Sequence, residues 1–257
     1  MTRPRTTETA TPSPRLDARI RHYWSHRAAG FGQVRRQELH SDKAERWWAE
    51  IAPHLPAPDG NTPLRVLDVG TGAGFLAILL ARHGCEATGV DSCLPMLDEA
   101  RALARQEGRS VTFLPMDAQR LNFPDASFDC IVARNVTWTL VDPCAAYREW
   151  WRVLRKGGSL LNFDADYGAV DFTEQAGTAG QHAHAGIAPD LLREGEHIRR
   201  ELPLSRECRP QWDRETLERI GFAACTCDRE LSDRIFAVRD SSFNPVPMFA
   251  LRAVKPC

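Results

Sequence analysis

The sequence predicts an α/β protein built on a mostly parallel sheet with helices on both faces, and three observations carry that prediction. From residue 64 onward short apolar runs alternate with segments of helical periodicity. A glycine-rich turn from Asp68 to Gly74 leads straight off the first of those runs. The ends of the following runs carry acids or polar residues one after another. Alternation of this kind is solved by a parallel sheet that buries helices on each side, and such sheets place their ligands at the carboxyl ends of the strands.

Residues 1–14 are rich in Thr, Pro and Arg and nearly free of apolar side chains, so a disordered tail is expected. Residues 19–55 read as helical: His22, Tyr23 and Trp24 lead one segment, and Ser41 and Asp42 cap another that contains Trp47, Trp48 and Ile51. The strands then follow at 64–69, 86–90, 111–114, 128–133 and 159–163, with helices at 75–82 and 95–106 between them. Tyr147, Trp150, Trp151 and Leu154 recur at helical spacing and lay an aromatic stripe on the sheet, a helix expected to close at Gly157 and Gly158. Between 167 and 210 the alternation breaks, and an inserted cap over the site is expected there. A helix at 212–220 and strands at 225–231 and 246–254 complete the chain.

The 257 residues are 43% hydrophobic and 26% charged with a formal net charge of −1, ordinary for a chain with one full core and without a field that would draw nucleic acid or an anionic membrane. A small-molecule substrate is expected instead. The eight cysteines are irregularly spaced and no apolar leader or bilayer-length run is evident, so a reducing cytoplasm fits and no metal site is expected. Cys225 and Cys227 read as small buried hydrophobes on one strand face.

The glycines at 70, 72 and 74 form a G-x-G-x-G pattern preceded by Asp68, whereas a dinucleotide fold prefers G-x-G-x-x-G, whose last glycine position is taken here by Phe75. Without phosphates to cradle, such a turn meets an amino-acid carboxylate and ammonium through its backbone and Asp68. Asp91, followed by Ser92, ends the second strand and is placed to accept from two ribose hydroxyls, with Met96 one turn on against a base. Asp117 and Ala118 follow the third strand and suit an adenine amine and ring nitrogen, and Asn135 follows the fourth.

This order of strand ends, with residues 128–135 and Arg155-Lys156-Gly157-Gly158, resembles the class I methyltransferases, small-molecule branch, over roughly residues 19–254. The resemblance implies S-adenosylmethionine as donor, S-adenosylhomocysteine as product, and a Rossmann-like seven-stranded sheet ending in an antiparallel hairpin. It implies a helical lid over residues 15–58 and a catalytic domain over 59–257 that carries the cap. Carried over by residue, Gly70, Gly72 and Gly74 line the methionine portion, Asp91 holds ribose, Asp117 and Ala118 hold adenine, and Asn135 meets the methionine ammonium. Tyr23-Trp24-Ser25-His26-Arg27 with Phe31 resembles the family's aromatic lid helix, where Tyr23 or Trp24 would face the sulfonium, worth up to about 2 kcal/mol in a dry site, and Arg27 would pair with an acid of the ligand or of the fold.

For a base, the candidates are Asp164, Asp166 and Tyr167 after the fifth strand and His182, His184 or His197 from the cap. Asp164 stands where this fold points a residue into the cleft. A fainter likeness to natural-product dithiol S-methyltransferases, and the ease with which thiols ionise, rank a thiol acceptor above an amine or hydroxyl. The competing readings are a nicotinamide-dependent oxidoreductase, which shares an acid at Asp91, and a non-catalytic nucleoside-binding module. Oligomeric state has no signature in the sequence.

Overall fold

A computed structural model describes residues 14–172 and 187–257. Among these residues seven strands form one sheet in the order β3-β2-β1-β4-β5-β7-β6. They are β1 (Arg65–Val69), β2 (Glu86–Asp91), β3 (Thr112–Pro115), β4 (Phe128–Arg134), β5 (Leu154–Ala165), β6 (Ala223–Asp228) and β7 (Met248–Val254). Only β7 runs antiparallel, paired to β5 on one side and β6 on the other, as the expected final hairpin requires. Order reverses between β1 and β4, so the sheet's switch point lies at the carboxyl ends of those two strands.

Alternation along the strands sorts the core into two layers. Val66, Cys130, Val132, Leu161 and Phe163 face one way and Leu67, Val69, Ile131, Ala133 and Leu160 the other. Helices α1 (Pro14–Leu39), α2 (Lys43–Ile51), α3 (Phe75–Arg82) and α4 (Leu94–Gln106) cover the first face, with Trp47 and Ile51 fully buried. Helix α5 (Pro143–Val153) covers the second, and its Tyr147 and Trp150 form the expected stripe at zero exposure. After β5 come a short turn at Tyr167–Ala169, α6 (Pro189–Glu201), a second turn at Pro203–Arg206, α7 (Gln211–Ile220) and, beyond β6, the five-residue α8 (Leu231–Ile235).

Several boundaries differ from expectation. Helix α1 begins at Pro14, inside the stretch read as tail, because Leu16 and Tyr23 are buried against the core and proline at a helix start forgoes no bond; residues 1–13 lie outside the described residues. Gly157 and Gly158 do not stop a helix. The strand begins at Leu154, and the glycines sit in its irregular first half, Gly157 at φ +72° and Gly158 so close to β4 that a Cβ would stand 2.8 Å from the Asp129 carbonyl. Leu231, read as the end of a strand, opens α8 instead, where its side chain is fully buried. The expected cap carries α6, while His182 and His184 lie outside the described residues; His197 is exposed on α6.

A buried polar network ties the second half of the chain to the sheet. Arg209 donates through Nε and Nη2 to the Asp213 carboxylate at 2.8 and 2.9 Å, and through Nη2 to Asp164 at 3.1 Å and Thr137 at 2.7 Å. Asp213 also accepts from the Tyr147 hydroxyl at 2.6 Å, and Asn162 donates to that hydroxyl at 3.0 Å. Removing the one cation leaves two uncompensated carboxylates out of water, which typically costs about 3–5 kcal/mol. Arg209→Ala is therefore expected to lower unfolding free energy by roughly that amount, read from urea denaturation; a loss below about 1 kcal/mol would show the pair to be solvated.

Asp68 makes a second prediction. Its carboxylate, 2% exposed, accepts from the Thr71 hydroxyl at 2.6 Å and the Ala77 N–H at 3.0 Å. Burial outweighs both bonds and pushes its pKa from 3.8 up to about 7. Between those values the folded chain keeps a proton that the unfolded chain has released, so this group's contribution is full below pH 3.8 and is lost as pH rises through 7. The stability of Asp68→Asn relative to wild type should therefore increase across that window and level off above it, and a difference independent of pH would refute the assignment.

Candidate active site

The main cavity opens beside the turn after β1. Gly70 and Gly72 adopt φ of +64° and +52°, a region glycine enters without penalty. The Thr71 N–H donates to the Val90 carbonyl at 2.9 Å and the Gly72 N–H to the Asp91 carboxylate at 2.9 Å, which docks the turn on the end of β2. Asp91 also accepts from the Cys93 N–H at 2.8 Å, and burial raises its pKa. The carboxylate is thus braced at the cavity wall beside Ser92 and Met96.

The cavity encloses about 1180 Å³, its open mouth included, at the carboxyl edge of β1, β2 and β4. Of the expected residues, Gly70, Gly72, Asp91, Ser92, Met96, Asp117, Ala118, Asn135 and Tyr167 line it. Asp117 is held by the Gln119 backbone and side chain at 2.9 and 3.0 Å, and the first turn of α1 brings Asp17 across from it, close enough that Asp117 raises the Asp17 pKa after burial has done so.

At the other end Asn135 stands at φ +56°, its N–H donating to the Phe163 carbonyl at 2.8 Å. A directed chain holds its side chain: the Val246 N–H donates to Asn244 Oδ1 at 3.2 Å, Asn244 Nδ2 to the Tyr167 hydroxyl at 2.8 Å, and that hydroxyl to Asn135 Oδ1 at 3.1 Å. Burial drives the Tyr167 phenol well above its ordinary pKa, which keeps it protonated as a hydrogen-bond donor and not available as a base.

Five expected residues stand elsewhere. Asp164 does not point into the cleft: its side chain has zero exposure, accepts the Trp138 N–H at 3.0 Å and faces Arg209, so it sets the Trp138 loop from beneath. Tyr23 is turned away from the cavity wall, its hydroxyl accepting from Arg27 at 2.9 Å and its ring against Gly195 of α6. Arg27 is correspondingly buried beside the rings of Tyr23 and Trp24. Successive helical residues are about 100° apart, so with Tyr23 turned inward it is Trp24, edge-on to Phe31 and Trp138, that lines the cavity. Gly74 and Asp68 shape the turn without lining it; a Cβ at Gly74 would stand 2.9 Å from Ala100, so its glycine serves the packing of α3 on α4.

Sequence reasoning missed Asn244, Ser242, Arg35 and Glu38. Ser242 is fixed by buried Lys43, whose ammonium donates to its hydroxyl at 2.9 Å and pairs with Asp240 at 2.5 Å. These contacts join residues some 200 positions apart, and no local pattern announces them.

The wall fits a nucleoside that carries an amino-acid tail. A Cβ on Gly70 would stand 2.3 Å from Val136 and Gly72 is held at φ +52°, so bare backbone shapes the turn here, while Asp91, Asp117 and Asn135 offer polar groups in the same lining. Among the described residues no cluster of His, Cys, Asp and Glu could hold a metal ion, and no helix is long and apolar enough to cross a membrane.

A protein family described as "Methyltransferase domain" matches residues 67–162. A phosphatidylethanolamine N-methyltransferase of Cereibacter sphaeroides is 33% identical over 184 residues, 67% of this chain and 84% of that protein. A demethylmenaquinone methyltransferase of Thermus thermophilus is 41% identical over 103 residues, 39% of this chain and 47% of that one. The chain thus spans about half the length of the first curated relatives it matches. The same fold occurs in phosphoethanolamine N-methyltransferase 2 of Haemonchus contortus, solved with phosphomonomethylethanolamine and S-adenosylhomocysteine, at TM-score 0.63 and 19% identity over 93% of this chain and 61% of that one. The strand order, the cavity at its switch point and the Cereibacter relative agree: the chain belongs to the class I S-adenosylmethionine-dependent methyltransferases, with S-adenosylmethionine as cofactor and S-adenosylhomocysteine as product.

Proposed function

We propose that the chain methylates a small molecule bound among Trp24, Trp138 and Tyr167, at the far end of the cavity from Asp91 and Asp117. The observation that carries this reading is the single continuous cavity that joins a nucleoside-type end to an aromatic end. When bound, the cofactor supplies a methyl group already activated on a cationic sulfur. What remains for the protein is to align donor and nucleophile and to exclude water, contributions that reach several kcal/mol in well-oriented reactions.

In this reading Asp91 accepts from the ribose hydroxyls, Asp117 and Ala118 engage the adenine, and Gly70 and Gly72 pass the methionine portion along bare backbone. Asn135, fixed by Tyr167 and Asn244, marks the reacting end. Of the two rings expected to face the sulfonium, Trp24 takes that place and Tyr23 does not. Residues 15–58 act as the lid and the segment after β5 as the cap; the support is that α1 lines the cavity from Asp17 to Arg35 and α6 clasps α1 through Arg19, which pairs with Glu194 at 2.8 Å and Glu201 at 2.5 Å.

For the acceptor atom, a thiol remains the reading that asks least of the residues present, because thiols ionise near neutral pH, Tyr167 stays protonated, and Asp164 is buried against Arg209 away from the cleft. The names of the relatives lend a thiol no support, one being an N-methyltransferase. A reducing cytoplasm belongs to the same reading. Isothermal calorimetry should show binding of S-adenosylmethionine and S-adenosylhomocysteine and none of NADH, and Asp91→Ala should weaken both by about tenfold or more, the worth of hydrogen bonds to a charged group. Binding of NADH alone, or unchanged affinity in Asp91→Ala, overturns the donor assignment. Labelled donor with a panel of thiols, amines and phenols then identifies the acceptor class.

A further inference from the structure

Two arginines stand in the wall of the cavity beside the glycine turn and share one counter-charge. Arg134, the last residue of β4, donates to both carboxylate oxygens of Glu38 at 3.1 and 2.8 Å, and Arg35 pairs with the same carboxylate from one turn before it on α1. Glu38 takes a further bond from the Trp47 indole at 2.9 Å, so its oxygens are fully engaged. The side chains of Arg35, Arg134 and Glu38 are 6%, 8% and 0% exposed, so two cations share one anion out of water; Asp68, an acid that also feels Arg134, keeps its proton up to a pKa of about 7 and offsets the surplus only above it. The Nε of each arginine is buried without a hydrogen-bond partner among the described residues. The Arg35 guanidinium lies 4.5 Å from the Phe31 ring, the same ring that faces Gly72, and Arg134 lies 5.1 Å from the ring of Phe75, the first residue of α3. Burial and the neighbouring Arg134 together outweigh Glu38 and lower the Arg35 pKa to about 10.

An unbalanced buried charge with idle donors is costly to keep unless something pays it back. Both arginines line the cavity, and a guanidinium presents a planar fork that matches a carboxylate. We propose that Arg35 and Arg134 form a carboxylate seat inside the cavity, with Glu38 holding the pair in place and one oxyanion of a bound ligand completing the charge balance. This deepens the methyltransferase reading and rests on it for one of two sources of that carboxylate: the methionine end of the donor, or an acidic group on the acceptor. The residue first expected to meet a ligand acid, Arg27, is occupied by Tyr23.

The test is a ligand and mutant cycle on the full chain. S-Adenosylhomocysteine is compared by calorimetry with S-adenosyl-3-thiopropylamine, which lacks only the carboxylate, on wild type, Arg35→Gln and Arg35→Lys. If the seat takes the donor, wild type prefers the carboxylate ligand by about tenfold or more, Arg35→Gln loses most of that preference, and Arg35→Lys falls between. In the second arm phenylacetate and phenylacetamide are titrated into protein saturated with S-adenosylhomocysteine. If the seat takes the acceptor, phenylacetate alone binds, Arg35→Gln abolishes it, and the donor preference is unchanged by mutation. Wild type lacking both discriminations, or Arg35→Gln and Arg35→Lys retaining both, overturns the seat. Should Arg35→Gln not fold, which thermal melting would show, the lysine variant and the two wild-type ligand ratios decide alone. Failure of wild type to bind S-adenosylhomocysteine at all would instead sink the methyltransferase reading, leaving the seat to be judged by phenylacetate and phenylacetamide on the free protein.

Discussion

The structure depends first on how the chain leaves β1. One buried carboxylate, Asp68, holds both the Thr71 hydroxyl and the Ala77 N–H, so the end of a strand, a turn with two left-handed glycines and the first turn of α3 are stapled by a single group. The staple fixes the turn at a level where the Gly72 N–H reaches Asp91 and the Thr71 N–H reaches the Val90 carbonyl, which adds two bonds between the end of β1 and the end of β2. From there the positions of α3, of Phe75 and of Arg134 above it follow by packing. The cavity is the space this arrangement keeps open at the switch point of the sheet.

That space is divided by charge. Asp17 and Asp117 face each other at one place in the wall, Arg35 and Arg134 share Glu38 at another, and Asp91 braces the glycine turn, with the rings of Trp24, Phe31 and Trp138 also in the lining. A ligand with hydroxyl and amine donors at one end and an acid at the other can lie only one way round in such a field. Direction is thereby imposed before any reacting atom is in place, which is the part of methyl transfer a protein scaffold supplies best.

Much of this was legible in the sequence because it is local. Strand spans came from apolar runs, and the turn, Asp91, Asp117 and Asn135 sit at fixed offsets from strand ends, so topology alone carries them to one edge of the sheet. What escaped was decided by partners far along the chain. Asp164 has a strand-end position like the others, yet Arg209, 45 residues later, neutralises it from below and removes it from the cleft. Tyr23 and Trp24 are indistinguishable in a sequence as lid aromatics, and only the packing of Gly195 on Tyr23 decides which ring turns inward. Gly157 and Gly158 look like a helix stop because the glycines of a kinked strand use the same residue type for the same reason, freedom at positive φ or close approach. Asn244 and Glu38 carry no motif at all.

Helix α1 contributes Asp17 at one end of the cavity and Arg35 at the other, eighteen positions apart on a single uninterrupted rod. At 1.5 Å per residue that is a span of about 27 Å, and five turns bring the two side chains back to one face. Inserting or deleting one residue between them would rotate one end by about 100° relative to the other while moving it hardly at all along the axis. The helix is a phased ruler: the number of residues between Asp17 and Arg35 decides whether both side chains face the same cavity.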